Sequence, residues 1–205
     1  MSIKDSLKKF WKFLNEDTWQ SWIVSLVLIV VIIKFIFFPG LSFFTGTQLP
    51  LVVVESCSMY HDSSFDSWWD KNAAWYESKG IIKEDFEGYR FKNGLSKGDI
   101  IFVIGTDNPK KGDTIIFVPN IESQQRTPII HRIISSNPIG TKGDNNIDQL
   151  KLNTNSKRID ETNISQDRII GKSIFRIPYL GWIKLIFFEP TKPSQERGTC
   201  SMQNH

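Results

Sequence analysis

The chain has 205 residues with 40% hydrophobic and 13% aromatic content, enough for one domain with a sizeable core plus appendages. A formal charge of +3 is mild and excludes a nucleic-acid signature. Two cysteines, Cys57 and Cys200, make no disulfide framework, and three histidines without a His-Glu-x-x-His pattern leave little for a metal site.

Ile3, Leu7, Phe10, Trp11 and Leu14 recur at helical spacing, with Lys4, Lys8 and Lys12 on another face. This predicts a short amphipathic helix, either lying on a membrane surface or simply starting the apolar helix next in the chain. Residues 22–38 are apolar except for Ser25 and Lys34. About 17 residues at 1.5 Å each cover roughly 25 Å, the short end of a membrane span. Lys34 sits near one end, where its stem can reach the interface. Pro39-Gly40 is expected to end the helix, and no small-x-small cleavage site comes after it. A retained anchor is therefore favoured over a cleaved leader. Lysines precede the span, and after Lys34 no Lys or Arg occurs until Lys71. That asymmetry places residues 1–21 in the cytoplasm and the remainder outside a cell membrane crossed once.

Short runs rich in Ile, Val and Phe come next: 51–55, 100–104, 114–118, 129–134, 169–177 and 181–188. Turn residues separate them, so each is predicted to be a strand. Lys97-Gly98-Asp99 and Lys111-Gly112-Asp113 each feed an apolar run, which reads as two similar turns into successive strands. The fold class is thus mainly β, a small coiled sheet or β-barrel over residues 39–189. Residues 62–94 break the pattern. Phe65, Trp68, Trp69, Trp75 and Tyr76 fall near helical spacing, a capping residue among Asp62, Ser63 and Ser64 precedes them, and Gly80 could close the helix. The rings either pack on the β domain or form a patch at headgroup level. Residues 190–205 are polar and expected to be disordered, so a bridge from Cys200 to Cys57 is not expected.

Ser56-Cys57-Ser58-Met59 closes the first strand, Ile130-His131-Arg132-Ile133 lies in a later one, and Lys142-Gly143-Asp144-Asn145-Asn146 comes after it. Singly these are a serine, a core histidine and a turn. In this order behind an anchor they resemble type I signal peptidases of the archaeal and endoplasmic-reticulum subtype, from the anchor to about Phe188 with 62–94 as an insertion. The resemblance implies a membrane-bound serine endopeptidase that removes signal peptides of exported preproteins after Ala-x-Ala sites. It implies Ser58 as nucleophile, His131 as base, and Ser56 with the Ser58 backbone N–H as oxyanion donors. The family's histidine partner is an Asp a few residues after its Gly-Asp-Asn box. Asp148 is the nearest candidate and Asp144 the other: either the loop is shortened or the roles of the two acids are merged. His61 is a rival base and Cys57 a rival nucleophile. Strand alternation would turn Cys57 away from Ser56 and Ser58, where it would be a buried small hydrophobe.

No metal or cofactor is implied, and no nucleic acid. The partners implied are signal peptides, membrane lipid and a secretion translocon. The alternative is a catalytically idle single-pass protein displaying a β-barrel as a binding module. A third reading is a protease acting on a regulatory membrane protein. Asn163-Ile164-Ser165 is a glycosylation sequon on the outer side.

Overall fold

A computed structural model describes residues 2–202, and the chain divides into one unit ending at Phe44 and a second beginning at Thr45. Residues 203–205 of the expected tail, and residue 1, lie outside the described residues.

The first unit is helical. Ile3–Leu14 forms α1, with the Ser2 hydroxyl accepting the Lys4 N–H as a cap. Trp19–Ile32 (α2), a wider turn at Ile33–Phe37 and Phe38–Thr45 (α3) together make one apolar helical stretch from Trp19 to Thr45, long enough to cross a membrane. Pro39-Gly40 does not end it, contrary to expectation. Proline at 39 offers no N–H and clashes with the carbonyl four residues back. The wider turn just before it absorbs that: the Phe38 N–H reaches back five residues to the Ile33 carbonyl, so the helix continues.

The second unit is mainly β. Six antiparallel strands, Leu51–Val53 (β1), Ile100–Ile104 (β2), Thr114–Phe117 (β3), Ile129–Ser136 (β4), Ile139–Lys142 (β5) and Ile169–Ile177 (β6), form one sheet in the order β1-β2-β6-β3-β4-β5. Both faces of its centre are covered, which is why β3 is apolar without alternation. Ile115 and Phe117 pack with Ile129, Ile133, Ile159 and Ile164 on one face. Ile116 packs with Val54, Met59, Leu95, Ile101 and Val103 on the other.

The repeated Lys-Gly-Asp phrase makes the same turn twice. Asp99 accepts the Ser96 N–H and Asp113 accepts the Lys110 N–H, at 2.9 and 3.0 Å. Gly98 and Gly112 both have φ +91° and both face an aromatic ring, Trp182 and Tyr89, leaving no room for a β-carbon.

Phe65–Glu77 (α4) and Lys83–Glu87 (α5) form the insertion, with Ser64 capping α4. Trp68, Trp69, Tyr76 and Phe86 are buried with Ile81 and Ile134 of β4, so the rings pack on the sheet rather than forming a headgroup patch. Burying each such ring contributes roughly 1.5–3 kcal/mol. Residues 181–188, expected as a strand, are helical at Trp182–Phe188 (α6): Leu185 is buried, whereas Ile183, Ile186 and Phe187 are exposed. The described part of the tail is not free, because short turns at Glu189–Thr191, Ser194–Glu196 and Cys200–Met202 are held by hydrogen bonds and a Cys57–Cys200 disulfide.

Candidate active site

The two edge strands deliver the site. β1 runs out at Val53 into the irregular segment carrying Ser56, Cys57 and Ser58, and β5 runs out at Lys142 into Gly143 and Asp144. Between them, β4 presents His131. Its imidazole shares a face with Ile129 and Ile133, whereas Arg132, the next residue, points to the opposite face.

Ser58 Oγ lies 2.9 Å from His131 Nε2, and Ser56 Oγ lies 3.2 Å from Ser58 Oγ. The other ring nitrogen of His131, Nδ1, is hydrogen-bonded to the carboxylate of Glu161. Glu161 is fully buried, and its position is over-determined. Thr141 Oγ1 donates to Oε1 at 2.9 Å and the Leu150 N–H donates to Oε2 at 2.9 Å. The Glu161 backbone pairs with Thr141 and Leu150. Thr141 reaches it because Thr141 opposes Ile133 in the β4–β5 ladder, on the same face as His131.

Glu161 thus occupies the place expected for Asp148 or Asp144. The stretch after the Gly-Asp-Asn box runs out through residues 147–158 and returns where Ile159 and Ile164 bury themselves against the sheet. Asp148 sits on the exposed outbound limb. It accepts the Trp75 indole N–H at 3.0 Å and the Lys151 ammonium at 3.0 Å. That Lys151 bond is the largest cause lowering the Asp148 carboxyl from its ordinary value.

Asp144 has a different role. It is fully buried on the far side of the loop, where Arg132 donates from Nε and Nη2, at 3.0 and 2.7 Å. His61 Nε2 and the Tyr76 hydroxyl also bond it, each at 3.1 Å. Burial would raise the carboxyl, but the Arg132 charge and these hydrogen bonds outweigh it and hold Asp144 well below the carboxylate range. Burial, then the Asp144 charge, pushes the Tyr76 hydroxyl up. His61 is therefore committed to Asp144 and stacked on Trp68 at 3.7 Å, rather than bonded to Ser58. Cys57 is buried as expected, but as half of a disulfide, which leaves no thiol to act as a nucleophile.

Loop 143–146 closes the site from one side. The Asn145 N–H donates to the Ser58 carbonyl at 2.8 Å, and its side-chain amide donates to the Cys57 carbonyl at 3.1 Å. A β-carbon on Gly143 would lie 2.7 Å from both His131 Nε2 and the Ser58 carbonyl oxygen, so only glycine fits. Lys142, facing away with Arg132, is buried over the Trp75 and Tyr76 rings and donates to the Gly143 carbonyl at 3.1 Å. Burial lowers its ammonium to about 8.

The chain is 25% identical over 170 residues to the signal peptidase complex catalytic subunit sec11 of Dictyostelium discoideum, spanning 78% of this chain and 73% of that protein. The similarity supports a signal-peptidase-like family and nothing finer. No family model matches the chain. A hydroxyl, an imidazole and a buried carboxylate in series is an arrangement that can move a proton off the hydroxyl and stabilise the charged ring that results.

Proposed function

We propose that this protein is a membrane-anchored serine endopeptidase that cleaves signal peptides from exported proteins. The observation that carries the reading is the series Ser58 Oγ, His131, Glu161 on three separate segments. The resemblance of the motifs and the relative's printed name support the substrate class.

In this reading a preprotein lies extended along the free edge at β1, adding main-chain hydrogen bonds. Small residues at the first and third positions before the cut enter shallow pockets. His131 Nε2 takes the Ser58 proton as Oγ attacks the scissile carbonyl. Glu161 holds the Nδ1 proton, fixes the ring's tautomer and stabilises the imidazolium. The Ser58 N–H and the Ser56 hydroxyl face the developing oxyanion. The intermediate collapses as the imidazolium gives its proton to the leaving amine. Water, activated by the same His131, then hydrolyses the acyl ester on Ser58. The apolar helix from Trp19 to Thr45 anchors the enzyme, with the lysines of α1 on the cytoplasmic side. An intact relay supports an enzyme over an idle binding module.

The decisive test is cleavage of a model preprotein bearing an Ala-x-Ala site, in detergent, by the full chain. Wild type should release the mature protein at that site and Ser58→Ala should reduce cleavage to background. Binding without turnover by wild type would overturn the proposal in favour of a displayed binding module.

A further inference from the structure

Ser58 sits on a segment, Glu55 to Ser58, that belongs to neither strand nor helix. No ladder of backbone bonds fixes its hydroxyl. One side of the segment is held by Asn145, through the Ser58 and Cys57 carbonyls. The other side is held by the C-terminal segment. Cys200 is bonded to Cys57, the residue next to Ser58. Lys192 Nζ donates to the Glu55 carbonyl at 3.1 Å.

The C-terminal segment is itself stapled to the β domain. Lys97, buried in the first Lys-Gly-Asp turn, donates to Glu189 Oε2 at 2.8 Å and to the Glu196 carbonyl at 2.6 Å. Glu189 Oε2 also accepts the Gly198 N–H at 2.8 Å. A polar tail has no apolar surface to hold it in place. A buried ion pair holds this one to Lys97, and a covalent bond holds it to Cys57, 143 residues away in sequence from Cys200.

We propose that the segment Glu189–Met202 is a strap that positions the nucleophile, and that its grip on Ser58 depends on the thiol–disulfide state of Cys57 and Cys200. The inference rests on the reading of Ser58 as the nucleophile. Cys200 and Lys97 are positioning residues, acting on Ser58 through Cys57 and the strap. A dithiol supplies the two electrons and two protons that convert the bond to two thiols and itself closes to a disulfide. The Glu55–Ser58 segment then loses its covalent hold at Cys57 and keeps only polar contacts, from Asn145 on one side and from Lys192 and Lys184 to Glu55 on the other. Misplacement of a reacting atom by about 1 Å can cost up to ~10²-fold in rate.

The test uses the full chain in detergent with a cysteine-free preprotein. Turnover and hydrogen exchange over residues 55–60 are measured with the protein oxidised, after dithiothreitol, and after re-oxidation with oxidised glutathione. Reduction should lower kcat by about 10-fold or more with KM changed less than about twofold, and should raise exchange at 55–60. Re-oxidation should restore both. Cys200→Ser should match the reduced enzyme and ignore dithiothreitol, and Lys97→Met should lose part of kcat with the disulfide intact. Equal kcat and equal exchange in the two redox states of wild type would overturn the strap. So would two alkylatable thiols in the oxidised protein. If oxidised wild type cleaves nothing while exchange at 55–60 still tracks the redox state, the strap stands and the peptidase reading falls.

Discussion

The Glu161 carboxylate bonds His131 Nδ1 with one oxygen and the Leu150 backbone N–H with the other, so the acid that orients the imidazole is fixed by the loop that carries it. A carboxylate held this way keeps its geometry through the proton transfer. Glu161→Gln should lower kcat by roughly 10²–10⁴, because a neutral amide cannot stabilise the imidazolium, and should lower Tm as well, because its NH2 must face either the Leu150 N–H or the donors on the His131 side. Steady-state cleavage of a preprotein measures this. Asp148→Asn, on the exposed limb, should stay within about twofold of wild type.

Asp144→Asn should fail differently. It breaks a buried pair with Arg132 and leaves that guanidinium uncompensated, at a cost of roughly 3–5 kcal/mol. Thermal melts should show a large fall in Tm. Wild type should also lose this contribution in acid. The folded Asp144 carboxyl lies below its ordinary value of 3.8, so the stabilisation is complete above that value and is lost as pH falls below it. A melt series from pH 6 downward should show an acid limb that is steeper in wild type than in Asp144→Asn, which keeps only the contributions of the other paired carboxylates.

Much of the sheet is legible in the sequence because strands buried on one or both faces need apolar runs: β2 and β6 match their expected bounds, and β3 and β4 fall within two residues. The short β5 is not, since Ile139-Gly140-Thr141-Lys142 has neither alternation nor an apolar run. α6 reads as a strand because Trp182–Phe188 is apolar on nearly every position, which hides a helical period. Ser58 and His131 stand out by motif, but Glu161 does not, because it lies in a polar loop 30 residues from its partner. The signal for it is the pair Ile159 and Ile164, apolar residues that must bring that stretch back to the core. Likewise Cys200 sits in a polar tail that the Lys97 staple brings back to Cys57.

Gly143→Ala should separate activity from stability. The added methyl collides with the His131 ring and the Ser58 carbonyl, not with the core. Either the ring tilts off Ser58 or the loop shifts, and both break the 2.9 Å approach. The expected result is about a 10²-fold loss in kcat with a modest change in Tm.

Ser56→Ala removes a hydroxyl 3.2 Å from Ser58 Oγ without disturbing any buried group. As an oxyanion donor it should be worth about 10²–10³ in kcat, less than the loss in Ser58→Ala. A loss that falls in kcat with KM little changed supports the oxyanion role, whereas a rise in KM with kcat unchanged would assign the Ser56 hydroxyl to binding instead.

Lys142 makes the last prediction, in the alkaline range. Burial lowers its ammonium from 10.5 to about 8 in the folded state. Below about 8 the group is charged in both states, and the fold bears the cost of burying that charge over Trp75 and Tyr76. Between about 8 and 10.5 the unfolded chain binds the proton and the fold does not, so stability rises with pH across that window. Tyr76 works the other way only above its ordinary value of 10, where the unfolded chain loses a proton that the fold retains. Denaturant unfolding at pH 7.5, 8.5 and 9.5 should therefore show wild type gaining on Lys142→Met by roughly 1–2 kcal/mol over that span. Equal pH slopes for the two proteins would mean that the Gly143 and Asp144 carbonyls and the two rings keep the ammonium fully charged.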